Sequence, residues 1–301
     1  MTDVMRNPRV SVGMPVYNQE KYVGAAIEAH LGQTYSDFEL VITDNASTDK
    51  SEAICRAYAE KDKRVRYYRN PDNLGASGNY RRCFELSNGE YFRWTPSDDL
   101  VSPNLLERAV DILDHNPSVF VAYPRTRLID AEGRIIGDFD EKLHIVHGRP
   151  SQRWTVVMQN LRLGNLHYGL SRANPLRKTG LLRNYSGGDF PLIAEMSLYG
   201  YFYEIPDAFF YRRMHEEASS SMTNGADVMA YYDPKKREKL FMRNWTHLGA
   251  HLRSVARAPI PIVEKLRIYG LLARSTISAR REFTCELGRA ARHVLRSVTG
   301  L

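Results

Sequence analysis

The chain has 301 residues, of which 43% are hydrophobic and 26% charged, enough for a soluble globular protein with a sizeable core. It contains no run of about 18 apolar residues, and its N-terminal stretch MTDVMRNPRVSVGMPVY lacks the apolar segment of a signal peptide. We therefore expect a cytoplasmic protein. Three widely spaced cysteines, Cys55, Cys83 and Cys285, have no metal-ligand spacing around them and indicate free thiols.

The formal net charge of +7 lies near the C-terminus. Residues 251–301 carry ten Lys or Arg and three Asp or Glu, whereas residues 1–250 carry 32 of each sign. A basic tail on a balanced body favours an anionic surface as partner and argues against a nucleic-acid-binding fold. Two interpretations stay open: a basic amphipathic helix at the inner face of a membrane, or a helix packed on the body with its arginines in water.

Short β-rich runs alternate with helical patterns through residue 124. The predicted strands are RVSVGMP, FELVIT, RVRYYRN, EYFRW and VFVAYP, and the predicted helices are 20–31, 49–61, 75–86 and 103–115. Strands separated by helices of this length are typical of βαβ units in a parallel, Rossmann-like sheet. Asp49 with Glu52 predicts a capping box, and Ser102 before Pro103 predicts a helix N-cap.

The pattern changes after Pro124. We predict a hairpin around Glu132 and Gly133, a helix over 152–163, a strand at LHYGLSR and a helix over 191–199. One or two strands and a polar loop follow in FYEIPDAFFYRRMHEEASSS, and the chain is mainly helical from Pro234.

Polar, turn-rich loops follow the first four predicted strands: PVYN, DNASTD, NPDNLGASGN and TPSDD. Ligands of open parallel sheets bind at the carboxyl ends of the strands, so these loops are the expected site. Neither GxGxxG nor GxxxxGK[ST] occurs, which disfavours a dehydrogenase or an ATPase.

Together these loops resemble the family 2 glycosyltransferases, inverting enzymes of the GT-A fold. The resemblance rests on SVGMPVYN, VITDNASTD, NLGASGN, SDDLVSPNLLE, and GGDFPLIAEMSLYG followed by YRRMH, in the family's order over about the first 215 residues. It implies an α/β fold with a mostly parallel sheet flanked by helices and a C-terminal helical extension. The implied units are a nucleotide-sugar-binding half (1–125), an acceptor-binding half (126–220) and a basic helical extension (221–301).

The resemblance also implies a donor site. Its residues are Pro15, Tyr17, Asn18, Asp44, Asn73, Gly75, Asn79 and Asp98. The first three would line the nucleotide pocket, and Asp44 would accept a hydrogen bond from the base or ribose. Asn73, Gly75 and Asn79 would shape the floor beside the diphosphate.

Asp98 matches the second Asp of the family's DxD element, which holds Mg²⁺ or Mn²⁺, and Asp99 and His215 are the further predicted metal ligands. A dication held by hard oxygen ligands stabilises the departing diphosphate. Pro96 stands where the first Asp of DxD is usual, which leaves ribose recognition open. The alternative is that both acids are solvated loop residues and that His215 is an unremarkable loop histidine.

Asp189 matches the catalytic base of the family. An Asp carboxylate suits the late loss of the acceptor proton in a direct displacement. An Asp after two glycines and before FPLIAEM is equally suited to be an N-cap. Arg212 and Arg213 can reach a diphosphate or form a solvated basic pair.

The sequence thus predicts an inverting, metal-dependent transferase that moves a sugar from a nucleoside-diphosphate donor, UDP or dTDP in type, to a hydroxyl of a saccharide, lipid-linked glycan or natural product. A nucleotidyltransferase would need a glycine-rich basic loop after the first strand, and PVYNQEKY is not one. The alternative from another class is a catalytically silent scaffold subunit at a membrane surface, which the missing first Asp and the basic tail would suit.

Overall fold

The computed structural model describes residues 7–216, 225–232, 234 and 242–299. Most of the polar loop predicted after His215 lies outside these residues, as does the unit boundary predicted after residue 220. Within the described residues, no helix combines the length and the apolarity that crossing a bilayer would take.

One mixed sheet is built from strands between Val10 and Arg213. Its strands are β1 (Val10–Val16), β2 (Phe38–Asp44), β3 (Val65–Arg69), β4 (Tyr91–Trp94), β5 (Leu100–Val101), β6 (Val119–Ile129), β7 (Ile135–Phe139), β8 (Leu170–Arg172) and β9 (Tyr201–Arg213). The strand order is β3-β2-β1-β4-β8-β6-β9-β5, and β7 pairs with β6. Strands β1 to β4 are parallel and so are β6 and β9, whereas β5, β7 and β8 run antiparallel to their neighbours.

Helices cover the sheet and continue beyond it. They are α1 (Val23–Leu31), α2 (Ser51–Lys61), α3 (Ala76–Glu85), α4 (Leu105–His115), α5 (Pro150–Asn160), α6 (Ala173–Arg177), α7 (Asp189–Tyr199), α8 (Gly225–Tyr232), α9 (Arg243–Arg257), α10 (Ile262–Ser278) and α11 (Arg280–Thr299). A 3-10 helix spans Asn165–Tyr168. The predicted α/β class and C-terminal helices are confirmed.

The central strands are buried on both faces, as a sheet covered by helices requires. Every residue of β1 and β2 is buried. A Cβ on Gly13 would lie 2.7 Å from the Cβ of Cys83, so this glycine lets α3 pack directly on β1. Beneath the sheet His30 is fully buried, with Nδ1 2.8 Å from the Ala26 carbonyl and Nε2 accepting from Arg93 at 3.1 Å.

Several predicted elements differ from the observed ones. The strand predicted at VFVAYP continues to Ile129, because its second half pairs with both β7 and β9. The boundary predicted at residue 125 therefore falls inside β6. LHYGLSR is the end of a 3-10 helix followed by β8, and neither β5 nor α6 was predicted.

The predicted capping box at α2 is wrong. Asp49 does accept a hydrogen bond from the Ser51 amide at 2.9 Å. Glu52 does not reach back, because its carboxylate pairs with Arg56 at 2.8 Å and with Arg69 at 3.0 Å. Glu52 therefore forms ion pairs with two arginines in place of the capping-box hydrogen bond to the backbone.

The predicted N-cap of α4 is also wrong. The Ser102 hydroxyl donates to Asn104 Oδ1 at 2.8 Å and accepts from the Phe209 amide at 2.9 Å. Gln33, two residues after the end of α1, accepts from the Leu106 amide at 2.9 Å instead. The side-chain amide of Gln33, distant in sequence, therefore accepts the hydrogen bond from the first turn of α4 that the Ser102 hydroxyl was predicted to accept.

The C-terminal helices are joined to the sheet domain through a buried carboxylate. Glu195 on α7 accepts from the Gly180 amide and the Ser254 hydroxyl, each at 2.9 Å, and pairs with Arg257 on α9 at 2.9 Å. Helix α10 then packs on α5 and α9. Helix α9 and one face of α10 therefore pack on the body of the protein.

Candidate active site

A cavity of about 870 Å³ opens at the carboxyl ends of the parallel strands, where the sequence predicts a ligand. Seven of the eleven predicted site residues line it: Pro15, Tyr17, Asn73, Asn79, Asp98, Asp99 and Asp189. The other four, Asn18, Asp44, Gly75 and His215, lie just outside its wall.

Four asparagines hold together the loops that form the floor of the cavity. Asn45 donates to Asn73 Oδ1 at 2.7 Å, and Asn70 donates to Asn79 Oδ1 at 2.9 Å. Asn79 in turn donates to the Thr43 carbonyl at 2.8 Å. Because an amide both donates and accepts, this chain of bonds fixes the floor without adding charge.

Gly75 has a conformational role beside that floor. Its φ is +73°, and a Cβ there would lie 2.2 Å from the carbonyl oxygen of Tyr232. Only glycine permits both this backbone and the close approach of α8. Helix α8, through Ala230, Tyr231 and Tyr232, forms part of the cavity wall together with Pro234.

Asn18 joins two loops at the rim of the cavity. Its φ is +50°. Its Oδ1 accepts from the Thr48 amide at 2.8 Å, and its backbone N–H donates to Ser47 Oγ at 3.0 Å. The side chain is exposed. The contact predicted between Asn18 and a nucleotide stays a prediction.

Asp44 is fully buried and does not line the cavity. Its carboxylate accepts from the Ser47 amide at 2.8 Å, from the Tyr67 hydroxyl at 2.7 Å and from Arg69 at 2.8 Å. The sequence predicts that Asp44 also contacts a base or ribose. Such a contact remains a prediction that requires one of these donors to give way.

The two adjacent acids have different surroundings. Asp98 is partly exposed to the cavity, with 20% of its side chain accessible, and its Oδ2 lies 3.0 Å from His215 Nε2. Asp99 is buried and accepts from the Arg213 amide at 2.6 Å. Burial and the neighbouring charge of Asp98 raise the pKa of Asp99 well above its usual range.

These residues fit a divalent cation when substrate completes the coordination. Among the described residues, no three His, Cys, Asp or Glu side chains cluster as a metal site. Asp98 and His215 nevertheless offer an oxygen and a nitrogen side by side at the cavity edge. Mg²⁺ in phosphate-transfer sites is commonly held by one or two carboxylates plus phosphate oxygens, so two protein ligands suffice.

Asp189 is the first residue of α7, is half-buried, and faces the cavity. Its carboxylate makes no hydrogen bond to any residue that the structure describes, so the N-cap alternative is not observed. A Cβ on Gly164, whose φ is +73°, would lie 2.7 Å from Asp189 Oδ2. Because Gly164 has no side chain, there is room beside it for this carboxylate.

The sequence interpretation missed the aromatic wall beside Asp189. His167 is buried in the cavity wall, with Nδ1 2.5 Å from the Gly164 carbonyl, and its ring centroid lies 3.9 Å from that of Tyr168. Burial lowers the pKa of His167, which favours the neutral ring. The histidine and tyrosine of LHYG were the available signal, but the segment was predicted to be a strand.

Among the residues that the structure describes, three arginines line the cavity and give it positive charge: Arg212, Arg213 and Arg243. Arg213 is buried, stacks over Tyr22 and donates to the Asp98 carbonyl at 2.8 Å. The solvated-pair alternative is therefore wrong for this residue. Cationic groups lining a concave site favour an anionic ligand.

The glycosyl transferase family 2 model matches residues 11–179, more than half of the chain. The chain belongs to this family. Similar proteins include an uncharacterized glycosyltransferase of Methanocaldococcus jannaschii, 33% identical over 141 residues, which are 46% of this chain and 49% of the relative. Another, from Haemophilus influenzae, is 26% identical over 223 residues, or 72% of this chain and 69% of the relative. The first matches span about half the length of the relatives.

Solved structures give the same fold for this family 2 chain. S. aureus TarS bound to UDP-GlcNAc has a TM-score of 0.66 at 18% identity, covering 90% of this chain and 73% of TarS. The mannosyltransferase PcManGT of Pyrobaculum calidifontis, in complex with GDP-Man and Mn²⁺, has a TM-score of 0.53 at 17% identity. The match covers 96% of this chain and 87% of PcManGT. These similarities confirm the predicted GT-A fold.

Proposed function

We propose that this protein is a metal-dependent inverting glycosyltransferase that uses a nucleoside-diphosphate sugar. The observation that carries the proposal is that one cavity collects Asp98 and Asp189 from distant parts of the chain, together with the predicted donor loops. The complexes of TarS with UDP-GlcNAc and of PcManGT with GDP-Man support this class of donor. We retain UDP- and dTDP-sugars as the expected types.

At the donor end, Pro15 and Tyr17 would flank the nucleoside, and Asn73 and Asn79 would form the floor below the diphosphate. Asp98 and His215 would hold Mg²⁺ or Mn²⁺, which supplies charge neutralisation for the leaving diphosphate. The cavity arginines would add positive charge there. Asp99 would fix the Arg213 backbone through Oδ1, and Oδ2 would be the oxygen that serves its predicted role as a metal ligand.

At the acceptor end, Asp189 would remove the proton from the attacking hydroxyl as its oxygen bonds to the anomeric carbon. The bond from that carbon to the diphosphate oxygen breaks at the same time, which inverts the configuration. Support comes from the carboxylate itself, which faces the cavity and accepts no hydrogen bond from a described group. A base must be within reach of the proton and must not be consumed by other donors.

We further propose that residues 1–125, 126–220 and 221–301 are donor, acceptor and helical regions of the chain, with the first two sharing the long strand β6, and that the location is cytoplasmic. The acceptor would be a hydroxyl of a saccharide, a lipid-linked glycan or a natural product. Residues 163–168 and 186–190 contribute to the cavity near Asp189, which favours them as part of the acceptor side.

The test is a thermal-shift screen with UDP, GDP, dTDP and CMP, each with Mn²⁺ or with a chelator. A ligand that binds only the folded protein raises the melting temperature. We expect one nucleoside diphosphate to raise it in a metal-dependent way, and Asp98→Asn to abolish the metal-dependent part. No shift with any nucleotide would contradict the proposal and favour the silent scaffold.

A further inference from the structure

Helix α10 has apolar residues on two opposite faces. Ile268 and Leu272 are buried against the rest of the protein. Four other apolar side chains are well exposed, at 66, 52, 62 and 64%: Ile262, Val263, Leu266 and Ile277. We call these four the α10 stripe.

Helical geometry places the α10 stripe opposite the packed face. Residues 262, 266 and 277 share one side of the helix, because successive residues are about 100° apart. By the same geometry Leu266 and Ile268 are separated by about 200°. The stripe is therefore the outermost ridge of a helix whose inner face is already satisfied by protein contacts.

A row of arginines follows the stripe. Arg267 and Arg274 lie seven residues apart on α10, which keeps them along one edge of the same face, and Arg281 follows in the first turn of α11. Arg274 and Arg281 are exposed and have no acidic partner among the described residues. Arg267 pairs with Glu264, which is itself buried.

The structure assigns the α10 stripe to an anionic lipid surface, on which α10 would lie flat. Exposed apolar side chains beside unpaired arginines match the acyl boundary and the negative headgroups of such a surface. A second copy of the chain is a poorer partner, because it would bring two arginine rows of like charge into one interface. The inference rests on α10 and the first turn of α11 and is independent of the proposed transferase activity.

The experiment is co-sedimentation of the full chain with vesicles of phosphatidylcholine alone or mixed with phosphatidylglycerol. We expect sedimentation only with the anionic vesicles, weakening as salt is added. Leu266→Gln/Ile277→Gln should abolish it. Arg274→Gln/Arg281→Gln should weaken it by about fivefold per arginine, since each charge near the surface adds on the order of 1 kcal/mol.

Matched controls separate the stripe from general stickiness and net charge. Ile135→Gln/Ile136→Gln removes two equally exposed apolar side chains from β7, and Lys61→Gln/Lys63→Gln removes two exposed charges from the α2 end. Both variants should sediment like the wild type. Melting temperatures, with and without nucleotide, show that each variant is folded and test the donor site separately.

Three results would overturn the inference. The wild type could fail to sediment with anionic vesicles, or the stripe variant could sediment as well as the wild type. Light scattering could instead show a dimer that Leu266→Gln/Ile277→Gln dissociates while vesicle binding is absent, which would assign the stripe to a second copy.

Discussion

Replacing Gly164 with alanine should damage catalysis by displacing Asp189 while leaving donor binding intact. The new Cβ would lie 2.7 Å from Asp189 Oδ2. Carbon and oxygen atoms make close contact at about 3.3 to 3.6 Å, so the carboxylate must move by roughly 0.6 Å or more. The Asp189 carboxylate would therefore leave the position proposed for the base, whereas the residues of the donor site would keep theirs.

The expected loss of turnover follows from this displacement. A misplacement of about 1 Å can lower a rate on the order of 100-fold, so we expect a loss of roughly 10- to 100-fold. The positive φ of Gly164 adds a separate cost of about 1 to 2 kcal/mol in stability, because alanine is strained in that region. A control variant that has the backbone strain but no contact with Asp189 separates the two effects.

Gly148→Ala is that control. Its φ is +89°, but its Cβ would meet only the Gln152 side chain, at 3.4 and 3.6 Å. Both variants should lose similar stability and keep the nucleotide-induced melting shift. Hydrolysis of the donor sugar without acceptor should fall only in Gly164→Ala. Equal hydrolysis by the two variants would refute the role given to Asp189.

Two further predictions concern stability. Glu195→Gln should lower the free energy of unfolding by about 2 kcal/mol in urea titrations, because it removes the charge that Arg257 faces and the charge-assisted hydrogen bonds with it. Combining it with Arg257→Gln should add no further loss, and additive losses would contradict the coupling. His30→Gln should flatten the acid side of the stability profile. Burial, then the charge of Arg93, lowers the pKa of His30 from 6.5 to about 3, so its contribution is full above pH 6.5 and is lost as the pH falls toward 3. Between pH 7 and pH 5 the wild type should lose about 2 kcal/mol more than the variant, and equal profiles would contradict a neutral buried His30.

Much of the fold and of the cavity could be predicted because the signals are local. The parallel strands and their helices follow from alternating runs, and the polar loops at the strand ends mark the cavity wall around Asp98. Asp189 was predicted only through the resemblance to family 2 glycosyltransferases. Burial of Asp44 could not be predicted, since it depends on Tyr67 and Arg69 from the next strand.

The elements that were missed depend on distant partners. Strand β5 has two residues and exists because Leu100 and Val101 pair with β9, more than 100 residues later. The 3-10 helix that carries His167 has no periodicity that separates it from a strand. The sequence predicts a basic C-terminal helix but not which of its faces packs on the body. The exposed stripe of α10 is recognised only because the structure buries Ile268 and Leu272.

The central claim is that Asp98 acts at the donor and Asp189 at the acceptor within one active site. The most direct test measures donor hydrolysis and the metal-dependent melting shift in Asp98→Asn, Asp189→Asn and the exposed control Asp138→Asn. We expect Asp98→Asn to lose both signals, Asp189→Asn to lose hydrolysis alone, and Asp138→Asn to keep both. Hydrolysis at the wild-type rate in Asp98→Asn or Asp189→Asn would contradict the account.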